Sequence, residues 1–336
     1  MDPARRRLLA AGACLAAWPL AAGAAPEGTR LRASRVLMGT QVDVAVQGAD
    51  AAALGSAAQA AFDRMEALAA MMTHYELTSR VSAIGLAAGL QPVEVEPELM
   101  AVLRMAQAVS RSTHGAFDAT VGSLGSWQFD PRDPRMPDPA QVARRLPSVD
   151  WRNLRLDERS HTAYLTQRGM RLDLGGIAKL YILQAGLDVL QSRGIRSALV
   201  NGGGDVLALS APGDAPWRVG IRDPRQPQRL LGALAIANGF VASSGDYERF
   251  FTRAGRRWHH VLDPRTGQPT QGVHGVTLVA DSLEGVNGLG AAAMVLGADE
   301  GRALLRSTVG TQGLIAAADG RLWFSAGLRE RLQQAG

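Results

Sequence analysis

Four short stretches combine glycine with the few residue types that can move a proton or hold a phosphate. In His259-His260-Val261-Leu262-Asp263-Pro264-Arg265-Thr266-Gly267, His260 precedes Asp263 by three residues. An imidazole titrates near neutrality and a carboxylate can orient it, so His260 and Asp263 are acid/base candidates. Asp-Pro-x-Thr-Gly is also turn chemistry, and a lone His–Asp pair is compatible with a structural role. The second stretch, Arg171-Leu172-Asp173-Leu174-Gly175-Gly176-Ile177-Ala178-Lys179, reads as a strand, a tight turn and a helix start. Free N–H groups at a helix start suit phosphate, and Lys179 adds a point charge there. A plain strand-to-helix turn capped by Asp173 fits the same spacing. Asn201-Gly202-Gly203-Gly204-Asp205 allows close approach to a ligand or a simple hairpin. Ser243-Ser244-Gly245-Asp246-Tyr247-Glu248 places polar groups directly after a strand.

A fifth stretch raises a question of design. Gly285-Val286-Asn287-Gly288-Leu289-Gly290, continuing to Gly297, has the small apolar residues of a thin helix. A glycine in a helix interior costs about 1 kcal/mol relative to alanine. Asn287 and Ala291, four apart, share one face if the helix is continuous.

The elements that must position these groups follow from periodicity. Residues 30–47 alternate as a strand, and 50–72 carry Phe62, Met65, Leu68 and Met72 at helical spacing. Pro97 and Glu98 open a helix over 97–112. Five prolines make 130–148 an excursion loop. Short strands are expected at 152–157, 161–166 and 169–174, then a helix from Ile177 to Ser192 ended by Gly194. Strands at 195–201, 204–209, 216–221, 230–236, 239–243, 276–280, 313–318 and 321–325 complete the pattern, with a short terminal helix. The fold class is α+β, a mixed α/β chain without internal repeats.

The chain has 336 residues, enough for a sizeable core, and its apolar content of 46% includes only 5% aromatics. A sequence pI of about 10.1 raises a nucleic-acid partner. The arginines are scattered among acids with no basic run, so none is expected. Residues 4–24 have a basic start, an apolar run and the small-residue ending Ala22-Gly23-Ala24, the layout of an export signal. Arg5-Arg6-Arg7-Leu8-Leu9 resembles a twin-arginine signal, with an ordinary Sec signal as the alternative. The division expected is 1–24 signal and 25–336 mature domain, exported to the periplasm. The apolar run is short for a transmembrane helix. The single cysteine, Cys14, lies in the signal, so the mature chain has no thiol chemistry. Lipid attachment at Cys14 is the weaker alternative, since Ala11-Gly12-Ala13 lacks the usual leucine.

Taken together, the four stretches resemble the ApbE family of FAD:protein FMN transferases. Met38-Gly39-Thr40, Thr73-His74-Tyr75 and Gly115-Ala116-Phe117-Asp118-Ala119-Thr120-Val121-Gly122 extend the resemblance from about residue 30 to 330. It implies mixed sheets flanked by helices in a T-fold-like arrangement, with an FAD cleft between lobes. It implies Mg²⁺-dependent transfer of FMN from FAD to a threonine or serine of a target flavoprotein, with release of AMP. Carried over position by position, Met38, Tyr75, Ala116, Phe117, Asp118, Asp173, Lys179 and Leu262 line the FAD site. His260 becomes the acid/base group near the acceptor hydroxyl.

The fifth stretch departs from that pattern. Aligned on Val295-Leu296-Gly297, Asn287 and Ala291 stand where the family has an aspartate and a threonine that hold Mg²⁺ with a main-chain carbonyl, here Gly176. Neither offers an anionic oxygen, and Mg²⁺ prefers carboxylates with phosphate and water. Leu180 replaces a usual glycine, and Ser79 to Gly85 lacks the usual acidic residue. Glu284 and Asp281 are the nearest carboxylates that could substitute. Three readings follow: an active transferase with a weakened metal site, an FAD-binding relative that has lost transfer, and an exported scaffold.

Overall fold

Residues 29–125 and 127–333 are described in a computed structural model. The expected signal over 1–24, with Cys14, lies outside them. The alternation over 30–47 folds back on itself as a hairpin of β1 (Thr29–Leu37) and β2 (Thr40–Gly48). Met38 and Gly39 make the two-residue turn, with φ of 52° and 73°. Positive φ at both positions matches the right-handed twist of the flanking strands, and glycine supplies it without strain.

The chain then runs through α1 (Ala51–Met72), α2 (Arg80–Leu86), β3 (Val93–Glu94), α3 (Pro97–Ser112), α4 (Pro139–Arg145), β4 (Leu154–Asp157), β5 (Thr162–Leu165) and α5 (Ala178–Ser192). It continues with β6 (Ser197–Gly202), β7 (Asp205–Leu209), β8 (Trp217–Asp223), β9 (Gln226–Ile236), β10 (Gly239–Gly245), β11 (Phe250–Arg253) and β12 (Arg256–His259). It closes with β13 (Val273–Ala280), α6 (Leu289–Ser307), β14 (Thr311–Ala317), β15 (Leu322–Phe324) and α7 (Leu328–Arg331).

The frame is one antiparallel sheet in the order β1-β2-β6-β7-β10-β13-β14-β15. Side chains alternate across a strand, so each strand feeds two cores. Ala198, Val200, Leu207, Phe240, Ala242, Val276, Leu278 and Ile315 face a large core built with the helices. Leu199, Val206, Ala208, Val241, Val279, Leu314 and Ala316 face a second core closed by β8, β9 and Leu328 of α7. The near-continuous apolar runs of these strands are the mark of a sheet covered on both faces. Each large side chain fully buried there contributes about 1.5–3 kcal/mol. Among the described residues, no helix is long and apolar enough to cross a membrane.

Three expectations change. Residues 169–174 form no strand: Gly169 is in a turn, and the Asp173 N–H donates to the Ala119 carbonyl of a neighbouring 3₁₀ turn at 2.7 Å. The excursion over 130–148 contains α4, with Pro139 at its first turn and the Asp138 side chain capping Ala140 N–H at 3.0 Å. The loop expected after Tyr75 is helical over Arg80–Leu86, where the Ser79 hydroxyl caps Ser82 N–H at 3.0 Å.

The thin helix also differs. It begins at Leu289 rather than Gly285, and Gly288 ahead of it has φ of 74°. Asn287 lies in the preceding turn, its N–H on Leu283 O at 2.9 Å, and left-handed Gly288 separates it from the helix that carries Ala291. Beyond Gly297, where φ is 83°, a second helical segment follows across a kink. Gly288→Ala forces an L side chain into the left-handed region, 3.1 Å from Val109 and 3.2 Å from Ile177. We expect a loss of about 1–2 kcal/mol, read as a lower urea midpoint at unchanged slope.

Candidate active site

The β1–β2 turn, the β6–β7 turn and the last residues of β10 meet at one end of the sheet. Val42 pairs with Gly202, and Gly202 with Asp205. Asp205 is only 5% exposed, so its charge needs partners. Its Oδ1 accepts the Ser243 N–H at 2.9 Å, and its Oδ2 meets Lys179 Nζ at 2.7 Å. Lys179 stands in the first turn of α5, directly after the Gly-Gly turn. Three of the four polar stretches are thus tied by one buried carboxylate.

The fourth joins through Arg249. The His260 N–H donates to the Arg249 carbonyl at 3.1 Å, and Nδ1 faces the same oxygen at 3.4 Å. A proton on Nδ1 leaves the Nε2 lone pair free to accept one. Burial lowers the His260 pKa to about 3, and the Arg249 guanidinium, His259 and Lys179 press the same way. The ring is neutral at physiological pH. Neighbouring His259 is buried, donates from Nε2 to the Thr270 carbonyl at 2.9 Å, and is also held below the ordinary histidine value, chiefly by burial. Both rings take a proton more readily when unfolded. The stabilising contribution of His260 is therefore complete above 6.5 and is lost as pH falls from 6.5 toward about 3, and that of His259 is lost in the same direction. We expect the melting temperature to fall across that window, and His260→Gln to flatten the decline.

Tyr75 is exposed, and its hydroxyl accepts from Arg249 Nη1 at 3.3 Å. Its ring lies 3.9 Å from that of His74, whose Nδ1 is 3.5 Å from Asp173 Oδ1. The same Oδ1 accepts the Gly175 N–H at 2.8 Å, fixing the Gly-Gly turn. Buried Phe117 packs beneath that turn: a Cβ on Gly176 would lie 3.1 Å from its ring. Ala116 is buried beside it, and Met38 and Leu262 are half-buried. Gly175 and Gly176 are exposed, so the turn presents backbone to solvent beside Tyr75.

Two expected site residues have other work. Asp118 is buried and its carboxylate accepts from Thr120 N–H and Oγ1 at 2.8 and 2.6 Å and from Trp151 N–H at 2.9 Å. Burial raises its pKa against those hydrogen bonds. Asp118 therefore supports the 3₁₀ turn (Ala119–Leu124) that holds Asp173. The carboxylate of Asp263, expected as an acid/base group beside His260, is engaged by Arg265. It grips Arg265 through N–H, Nε and Nη2, each at 2.9 Å. Arg265 Nη2 then reaches the Val295 carbonyl at 3.3 Å, just before the kink at Gly297. The pair anchors the turn after His260 onto α6.

The fifth stretch sits against the same site. A Cβ on Gly290 would lie 2.5 Å from Ser244 Oγ, so only a thin helix start fits beside β10. Asn287 is 1% exposed, and its Nδ2 donates to the Ile177 carbonyl at 2.8 Å and faces Met105 Sδ at 2.8 Å. The carbonyl it engages belongs to Ile177, the residue after Gly176. Ala291 packs half-buried against the large core and Leu180 is buried in it. Glu284 and Asp281 are exposed. These residues do not fit a bound Mg²⁺: an amide donor stands where an anionic ligand is needed, and Ala291 has no side-chain oxygen.

The model of the ApbE family matches residues 38–315. The chain belongs to the ApbE family. It is 35% identical over 256 residues to an FAD:protein FMN transferase of Klebsiella pneumoniae, covering 75% of this chain and 78% of that one. It is 34% identical to one of Treponema pallidum, covering 76% and 75%. The crystal structure of an ApbE protein from Thermotoga maritima superposes with a TM-score of 0.83 at 29% identity, covering 91% of this chain and all of that one. The flavin transferase ApbE from Vibrio cholerae gives 0.77 at 25% identity. The ApbE fold accounts for the α+β class and the helix-flanked sheets. Asp205 and Arg249, which tie the stretches together, were missing from the sequence-based site. Asp205 closes a glycine run already noted; nothing distinguishes Arg249 among the many arginines.

Proposed function

We infer that the chain is an FAD:protein FMN transferase that moves FMN from FAD onto a threonine or serine of an exported flavoprotein. The observation carrying this reading is the convergence of Tyr75, the Asp173-held Gly-Gly turn, Lys179 and a neutral His260 on one solvent-accessible surface. In the reaction, the acceptor hydroxyl oxygen attacks the FMN-side phosphorus and the bond between the two phosphates breaks. AMP leaves with the bridging oxygen, and the hydroxyl proton passes to His260 Nε2. Phosphoryl transfer needs alignment and charge neutralisation more than covalent help. The exposed backbone of Gly176, with Lys179, serves the diphosphate, and Tyr75 offers a face to a flat ring. A target flavoprotein outside the cytoplasm and export through the 1–24 signal complete the proposal.

The test is to incubate the mature protein with FAD and a domain carrying the acceptor threonine. A fluorescent flavin band on the acceptor supports the reading. FAD binding without a band supports the relative that has lost transfer, and no FAD uptake opposes both.

A further inference from the structure

We propose that this protein holds the FAD diphosphate without a divalent cation, because the Asn287 amide presents a donor, and Ala291 no side-chain oxygen, where anionic metal ligands would be needed. The inference rests on the flavin reading above and deepens it. Asn287 is buried, and both neighbours of its Nδ2, the Ile177 oxygen and Met105 sulfur at 2.8 Å, are acceptors. The opposite amide orientation would set oxygen against oxygen, so the chemistry of Ile177 decides which end points at it.

The surroundings agree. The Met105 thioether is a soft atom, ill suited to a hard cation. Ala291 contributes a methyl group. Among the described residues, no group of three or more His, Cys, Asp or Glu side chains could hold a metal. Asp281 and Glu284, the carboxylates next to this turn, are exposed, whereas Asn287 is buried. Positive charge comes from side chains: Lys179 lies two residues beyond Ile177, and Arg249 reaches Tyr75. Lys179 uses one of its three donors on Asp205, which leaves capacity for a diphosphate. An ammonium and a guanidinium neutralise phosphate oxygens without the octahedral geometry Mg²⁺ demands.

The deciding measurement is FAD titration of the mature protein by flavin fluorescence, once in excess EDTA and once in excess Mg²⁺. We expect the two dissociation constants to agree within about twofold, and Mn²⁺ added to the wild type to keep the paramagnetic resonance spectrum of the free ion. Tightening of FAD by about tenfold or more in Mg²⁺, or a protein-bound Mn²⁺ signal, would overturn the proposal. Failure to bind FAD in either medium would overturn the flavin reading itself, a distinguishable result. The variant Asn287→Asp/Ala291→Thr supplies a positive control. Its FAD affinity should become Mg²⁺-dependent by about tenfold, and Mg²⁺ should raise its melting temperature. If the variant does not fold, the wild-type titration still decides.

Discussion

Replacing His260 with alanine is expected to lower flavin transfer by about 10²- to 10⁴-fold, the range of a lost general base, while FAD affinity changes little. The Nδ1 side of the ring faces the Arg249 carbonyl, so Nε2 is the nitrogen left to take the acceptor proton. Its pKa, pushed down to about 3, keeps that nitrogen unprotonated. The value of kcat/KM, which reports groups of the free protein, should therefore not drop through His260 protonation as pH crosses 6.5, the ordinary histidine value. Acid inactivation of the wild type with a midpoint near 6.5 would oppose this account of His260. So would a His260→Ala protein that transfers flavin at the wild-type rate. His260→Gln keeps the volume but not the basicity, and should be as inactive as alanine.

Lys179→Met should strike both stability and FAD binding. It strands the Asp205 carboxylate, 5% exposed, on the Ser243 N–H. Loss of one partner of a buried polar group costs about 1–3 kcal/mol, and more for a charge. The double variant Lys179→Met/Asp205→Asn removes the stranded charge and should recover much of that stability. FAD affinity should not recover, since the ammonium serving the diphosphate is still absent; we expect about a tenfold loss in both variants. Urea unfolding and FAD titration on the wild type, Lys179→Met, Asp205→Asn and the double variant separate the two effects. Recovery of FAD affinity in the double variant would show that Lys179 acts only through Asp205.

These effects differ in how visible they were before the fold. Long periodic segments, α1 and α3, could be read to within a residue or two, because apolar spacing and Pro97 mark them locally. The central strands were legible as apolar runs, since both faces are covered. The β11–β12 hairpin was not: Phe250 to His259 is rich in arginine, and its turn at Ala254 and Gly255 lacks the usual Asn or Asp. The order of the glycine-bearing stretches located the site, yet chain order says nothing of partners across the fold. Lys179 and Asp205 are 26 positions apart, a separation set by α5 and β6. Asp118 was read as a ligand group from the family resemblance, and Asp263 as an acid/base group from its spacing after His260. Their neighbours Thr120 and Arg265, two residues on, satisfy them first. The face shared by Asn287 and Ala291 depended on a continuous helix, and the left-handed Gly288 breaks it.

The central claim is transfer itself, and its most direct measurement is the yield of flavinylated acceptor against AMP released. Mature protein, FAD and the acceptor domain are incubated together; intact-mass spectrometry counts FMN-bearing acceptor while chromatography counts AMP. The account predicts equal amounts of the two, abolished by removing the acceptor hydroxyl and sharply reduced by His260→Ala. Bound FAD that is never cleaved, or AMP released with no flavin on the acceptor, would contradict it.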